Sequence, residues 1–393
     1  MLIQRSSRLF LSIYLGAGIS MASWGQDAST ASAAPVAHVY VSSLPANSNT
    51  GVVNAYAAST TGRLTRVTGS PFKANDNVLS INGNTLYGIS NSGTYLDGYS
   101  IAANGALTYL TSTDYAAYNP SNCGAAGWIF PDRTGADLYA MNFDGDCSNN
   151  TFQSFAVKAN GELTFLGYVE GGAGSFSGVY LPLTFIGDNK FGFEAVNNGC
   201  FYYQVWGFQR GNTGDLSDAG ITSLPMPPPP PGYNIYIPMF SAADPAGSRV
   251  AVSMEAAVPP GCSSGVPIQV GSFSANSKGN LSTSNTYENM PNTAFSAVND
   301  MKISPAGTLL AVAGTEGLQI FHFNGANPPT SYTGLLTTDS ISQMFWDDST
   351  HLYAISQSAE MLHVFTITPT AAREAPGSPY TINQPLYIAV QDK

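Results

Sequence analysis

Charge is scarce in this chain. Only 14 of its 393 residues are Lys or Arg and 25 are Asp or Glu, so charged residues make up 10%, against about 25% in an average soluble domain. The formal net charge is −11. A chain this poor in bases and this acidic gives a polyanion nothing to grip, which excludes nucleic acid and an anionic membrane surface as partners. Long apolar runs are missing as well: beyond the N-terminal segment none approaches the roughly 20 residues of a spanning helix. Cysteine is limited to Cys123, Cys147, Cys200 and Cys262, with no C-x-x-C and no His–Cys cluster. That excludes the common zinc layouts.

What is there begins with an export signature. Arg5 and Arg8 precede an apolar stretch from Leu9 to Ile19, and small residues follow, with cleavage positions after Ala22 or Gly25. This reads as a signal peptide over residues 1–25 and a flexible leader over 26–36, which sends the chain to the periplasm or outside the cell. Disulfides are then permitted. The remainder is rich in Gly (40), Pro (25), Tyr (21) and Phe (20), a turn-rich β composition that predicts one domain over residues 37–393.

A short motif recurs along that domain: an aromatic residue, Gly six positions later, then x-Leu-Ser/Thr. It stands as YAASTTGRLT with Tyr56 and Gly62, YSIAANGALT with Tyr99 and Gly105, and FAVKANGELT with Phe155 and Gly161. It continues as FQRGNTGDLS with Phe208 and Gly214, and FSANSKGNLS with Phe273 and Gly279. A sixth copy has a longer loop between Phe321 and Gly334, and a seventh keeps Phe365 but loses the glycine. Each copy follows an apolar run, a tight Asp/Pro/Gly turn and a second apolar run, as in WIFPDRTGADLYAM and MKISPAGTLLAVAG. Two such runs around a tight turn are a hairpin. Each unit therefore holds four short antiparallel strands, a to d, which is one propeller blade. The tetrapeptides GSPF at Gly69 and GSPY at Gly377 lie 308 residues apart, six intervals of about 51, which predicts an all-β seven-bladed β-propeller. The first strand, HVYVS, is a b strand and the last, PLYIAV, is an a strand, so residues 385–390 should pair with 38–42 and close the ring.

The stretch HVYVSSLPANSNTGVVNAYAASTTGRLTRVTGSPF resembles a repeat of the lactonase-type seven-bladed propellers, a group of phosphogluconolactonase-like proteins and muconate cyclases, and is similar to YVTN-type repeats. The resemblance spans residues 37–393. It implies a hydrolase that opens a lactone-like small molecule, with basic and acidic residues in a central pocket.

Strand order assigns the a–b hairpins and c–d turns to one rim, and the b–c and d–a loops to the other. The long irregular segments all fall on the loop rim, where function is expected. Glu194, Glu255 and Glu316 follow strand b in three consecutive blades and are the candidate ligand-binding ring. Asp144 and Asp146, in the loop segment NFDGDCS, are candidate metal ligands for a divalent cation, without the Gly and Glu of an EF-hand. No other cofactor is called for. Four cysteines allow three pairings; their blade positions select Cys123 with Cys147 and Cys200 with Cys262, as loop staples. The proline run 227–231 reads as an exposed polyproline II loop. His38, His322, His351 and His363 read as packed strand histidines. Arg63, Arg133, Arg210 and Arg249 fall near the hairpin rim, which leaves no arginine for the central pocket. The expected function is therefore binding of a small polar molecule, a glycan or a protein at the loop face, with metal-assisted lactone hydrolysis as the alternative.

Overall fold

Six times the chain runs an apolar inner strand into a tight turn and back, the two chain ends supply the seventh such pair, and seven separate antiparallel sheets result. The computed structural model describes residues 34–393 apart from 46–47, 49, 119–124, 144–149, 172–178, 181, 199–201, 222–225, 259–265 and 349. The signal segment, all four cysteines, and Asp144 and Asp146 lie outside the described residues. Among the described residues no helix is long and apolar enough to cross a membrane.

Blade 1 is built from both ends of the chain. Its inner strand a is Pro385–Asp392, and Ala37–Ser43, Val52–Ala58 and Leu64–Arg66 are its strands b, c and d. Val39 pairs with Val390 and Val41 with Ile388, which is the predicted closure in register. Blades 2 to 7 then follow in chain order, with inner strands at Asp76–Asn82, Ala125–Pro131, Thr184–Phe185, Ile235–Ala243, Val298–Ile303 and Gln343–Trp346. Blade 4 departs from the regular plan. Its inner strand is split, with Val179–Tyr180 and Thr184–Phe185 pairing separately to Phe191–Asn198.

The repeated aromatics explain why the blades stack. Tyr56, Tyr99, Phe155, Phe208, Phe273, Phe321 and Phe365 are all buried, and each sits in a different one of seven apolar clusters between neighbouring blades. Burying a side chain of this size stabilises by about 1.5–3 kcal/mol. The motif glycine serves the same junction. Gly105 has φ 85°, a backbone region that costs glycine little, and a Cβ there would come 2.9 Å from the His38 ring of blade 1. The matching GSP tetrapeptides are equivalent turns. Ser70 Oγ accepts from Ala55 N at 2.9 Å, and Ser378 Oγ accepts from Val364 N at 2.8 Å. Both precede a cis proline. Each turn divides the outer strand of its blade in two, between Leu64–Arg66 and Phe72–Lys73 in blade 1, and between Ala371–Glu374 and Tyr380–Thr381 in blade 7.

Candidate functional site

The seven inner strands, six of them running into a–b turns and that of blade 1 ending at Asp392, close around a cavity of about 420 Å³, a volume in the range of small-molecule sites. Its wall is largely apolar, with Leu79, Ile129, Phe130, Phe345 and Trp346. The polar groups come from the turns: Asp132 and Arg133 of blade 3, Asp348 of blade 7, and Asp392 at the end of the blade 1 inner strand, joined by Lys302 of blade 6. The cavity therefore occupies the hairpin end of the axial channel.

Its position changes one expectation. Arg133 is on the hairpin rim as predicted, and among the described residues that rim carries a central cavity, so a central pocket does contain an arginine. The repeat carried the signal. In blades 5 and 6 the equivalent first turn position is Pro245 and Pro305, in blade 7 it is Asp348, and all of them line the same cavity. Blade 3 puts an arginine where two other blades put proline.

Arg133 is open to solvent through the mouth, yet protein surrounds it closely enough that burial pulls its guanidinium below the ordinary value. The charges of Asp244 and Asp348 counter that only in part. Among the described residues no side chain makes a hydrogen bond or ion pair with this guanidinium; the bond assigned to Arg133 is from its backbone N to Asn189 Oδ1, at 2.9 Å. Lys302 is different. Its Nζ is 2.5 Å from Asp300 Oδ1 and sits over the Phe345 ring, 5.4 Å from the centroid. Lys302 is already paired; among the described residues of the cavity, Arg133 is the cation left for a ligand.

The carboxylates form a second group. Asp392 Oδ1 accepts from Asp348 N at 2.8 Å. Asp392 is itself exposed to solvent, yet protein surrounds it closely enough that burial, joined by the negative charges of Asp348 and Asp347, outweighs that bond and raises the carboxyl to about 6. A carboxyl titrating near neutral pH can exchange a proton with a substrate. Trp346 fixes the wall beside them by donating its Nε1–H to Lys302 O at 3.2 Å.

The three glutamates chosen from the sequence are not part of this cavity. Glu194 and Glu255 lie within strand b of blades 4 and 5, at Phe191–Asn198 and Arg249–Ala257, not after it. Glu194 is wholly buried, neither carboxyl oxygen has a hydrogen-bond partner among the described residues, and burial raises its pKa well above the ordinary value. It cannot ring an open mouth in this conformation. Glu316 does follow strand b, but it is held by its own neighbours: Ser296 N at 3.0 Å, Ser296 Oγ at 2.5 Å and Thr315 Oγ1 at 2.6 Å. Burial is the largest single influence and pushes the carboxyl up, but the bonds from Ser296 and Thr315 together outweigh it and hold the group below the ordinary range. Glu255 is half-buried. Among the described residues no group of three or more His, Cys, Asp or Glu could hold a metal ion.

The histidines are packed groups. His363 lies between two carboxylates, Nδ1 3.1 Å from Glu374 and Nε2 3.0 Å from Asp339, and is stacked on Phe365. His351 Nδ1 is 2.8 Å from Asp347, and His322 lies against Tyr332. In the proline run, Pro227 is buried while Pro228 and Pro231 are exposed.

No protein-family model and no curated protein matches this chain by sequence. Solved structures do match in fold. A putative 6-phosphogluconolactonase from Bacteroides fragilis superposes with a TM-score of 0.63 at 13% identity, covering 92% of this chain and 99% of that one. A periplasmic gluconolactonase from Pseudomonas aeruginosa gives 0.62 at 13% identity, over 90% and 99%. A second putative 6-phosphogluconolactonase, from Bacteroides uniformis, gives 0.63 at 13% identity, over 91% and 99%.

Proposed function

We propose that this chain, which has the seven-bladed lactonase-like propeller fold, is an exported hydrolase that opens the ring of a small lactone in the axial cavity. The observation that carries the reading is the presence, in one cavity, of an arginine whose guanidinium has no side-chain partner among the described residues and a carboxyl raised to about 6. Lactone hydrolysis needs both. Asp392 takes a proton from water as the water oxygen bonds to the ring carbonyl carbon. The carbonyl oxygen gains negative charge, which the Arg133 guanidinium stabilises. The ring C–O bond then breaks, and the departing alkoxide recovers the proton from Asp392, leaving a hydroxy acid. A donor aimed at such an oxyanion is worth about 10²–10³ in rate.

The likeness in fold to a periplasmic gluconolactonase and to two phosphogluconolactonase-like proteins supports this reading over loop-face binding, and Glu316 supports it further, since its carboxylate is occupied by its own chain. A second reading has the same cavity hold a hydroxy acid without breaking a bond, because a guanidinium binds an anion whether or not chemistry follows.

Ring opening of glucono-δ-lactone, followed by proton release, tests the proposal. Wild-type protein should turn the lactone over, and Arg133→Ala and Asp392→Asn should each lose about 10² or more of kcat/KM. Equal turnover in wild type and both variants would place the activity elsewhere. Saturable binding of gluconate without turnover of any lactone would favour the second reading.

A further inference from the structure

Arg133 follows Asp132 directly in the chain, so the absence of an ion pair between them calls for a cause. A free carboxylate one residue away is the nearest counter-ion a guanidinium could find, and pairing with it would withdraw the cation from the cavity. The structure shows where that carboxylate is spent. Asp132 is buried. Its Oδ1 accepts from Asp137 N at 3.1 Å, and its Oδ2 accepts from Thr134 Oγ1 at 2.5 Å and from Asn189 Nδ2 at 2.8 Å. Arg210 Nε lies 3.5 Å from the same Oδ2. A carboxylate offers about four lone-pair sites; three of these partners converge on Oδ2 and one on Oδ1, so the carboxylate is largely spent on them. Burial pushes the Asp132 carboxyl up, but the bonds donated by Thr134, Asp137 and Asn189 together outweigh it and hold the group ionised.

One residue in this set reaches both members of the dipeptide. Asn189 stands in the a–b turn of blade 4, with φ 57°, a left-handed conformation that asparagine tolerates better than most residues. Its side chain is turned onto blade 3, where Nδ2 donates to the Asp132 carboxylate and Oδ1 accepts from Arg133 N. Blade 7 has the same arrangement with a different acceptor, since Asp348 N donates to Asp392 Oδ1 from blade 1. In blades 5 and 6 the position is proline, which has no N–H to satisfy. Where the residue is arginine, the acceptor from the next blade is a neutral amide; an aspartate there would sit beside the guanidinium as a counter-ion.

We infer that Asn189 is a positioning residue for Arg133: it holds the Asp132 carboxylate and the Arg133 backbone apart in one clamp across the blade 3–blade 4 junction, so that the guanidinium stays free for the anionic group of a ligand. This rests on the reading of the cavity as the ligand site.

The test uses gluconate and inorganic phosphate as anion probes, titrated calorimetrically into the full chain, with melting temperature measured alongside. Asn189→Gly deletes both hydrogen bonds while keeping a residue at home with positive φ. Asn189→Asp keeps the acceptor for Arg133 N but sets a carboxylate beside both Asp132 and the guanidinium. If the inference holds, wild type binds at least one probe, Arg133→Ala abolishes binding, and both Asn189 variants weaken it by roughly tenfold or more, the effect of giving a cation an internal partner. KM for a turned-over lactone should rise with them. If Asn189→Gly does not fold, Asn189→Asp alone decides. Affinities within about twofold of wild type in the Asn189 variants, with binding still lost in Arg133→Ala, would overturn the positioning role and leave the cavity reading intact. Wild type that binds neither probe, or an Arg133→Ala protein that binds as wild type does, would remove the cavity reading and this inference with it.

Discussion

The hydroxyl of Tyr40 in blade 1 donates to the carbonyl of Gly105 in blade 2 at 3.0 Å. Tyr87 makes the same bond to Gly161 at 2.8 Å, and Tyr139 to Gly214 at 2.9 Å. A tyrosine in strand b of one blade thus reads the motif glycine of the next, three times in succession. Burial raises the pKa of all three phenols, which keeps them as donors throughout the working pH range.

Removing one of these hydroxyls leaves a buried carbonyl without its partner. Tyr40→Phe, Tyr87→Phe and Tyr139→Phe should each destabilise by about 1–2 kcal/mol. Tyr95→Phe, at an exposed tyrosine, should be close to neutral. Denaturant unfolding of the four variants checks this; equal losses at Tyr95 and the buried sites would show that the interblade bonds contribute nothing.

Deleting residues 385–393 removes the inner strand of blade 1 and uncovers the edge of Ala37–Ser43. An exposed strand edge invites pairing with other chains, and the buried side chains of that strand are lost from two blade junctions. The truncated protein should melt more than roughly 10 °C lower and aggregate. Melting as the full chain does would contradict ring closure.

Glu194 should make the fold sensitive to alkali. Its carboxyl is fully buried, without a hydrogen-bond partner among the described residues, and raised well above 4.5 by burial. The neutral form therefore belongs to the folded state. Stability linked to this group is complete below its ordinary value, near 4.5, and falls as pH rises towards the folded-state value. Glu194→Met should remove that slope and gain about 1–3 kcal/mol at pH 8, the cost of an unsatisfied buried polar group, with a smaller gain at pH 4.5. Unfolding curves at both pH values decide; a loss of stability at pH 8 would mean that the carboxyl has a partner.

Lactone turnover should follow Asp392. Below about 6 the carboxyl is protonated and cannot accept a proton from water, so kcat/KM should rise with pH through that value and then level. The positive charge at the site is a side chain, so turnover in the presence of chelator should match turnover without it. A profile that is flat between pH 5 and 7, or loss of activity with chelator, would point to a different base or to a bound cation.

The fold was legible because its signal is repeated. One aromatic at a time reads as an ordinary core residue, but Tyr56 to Phe365 recur with a glycine at fixed spacing, and seven copies specify seven blade junctions. The split inner strand of blade 4 was not legible, since residues 179–185 carry no alternation that separates a broken strand from a loop. Glu194 was misread for a related reason. Phe191, Phe193 and Ala195 alternate around it on the face packed towards blade 5, and period-two alternation places Glu194 on the opposite face of a buried strand. Read as the start of a loop, it looked free. Arg133 was located on the correct rim but discounted. Which end of a propeller channel holds a cavity depends on the bulk of seven side chains from seven blades, and no single stretch of sequence contains that comparison.

Ring closure also sets an order in time. The strand Ala37–Ser43 leaves the ribosome early, yet its inner partner, Pro385–Asp392, is made only after six further blades. Until then the first blade has an unpaired edge, and the channel is a gap between blades. Asp392 arrives on that same last strand, so sealing the ring and supplying the cavity with its carboxyl are one event. A chain interrupted anywhere before that strand would lack the seal and the Asp392 carboxyl together, and would present to proteases an open edge that the finished ring conceals.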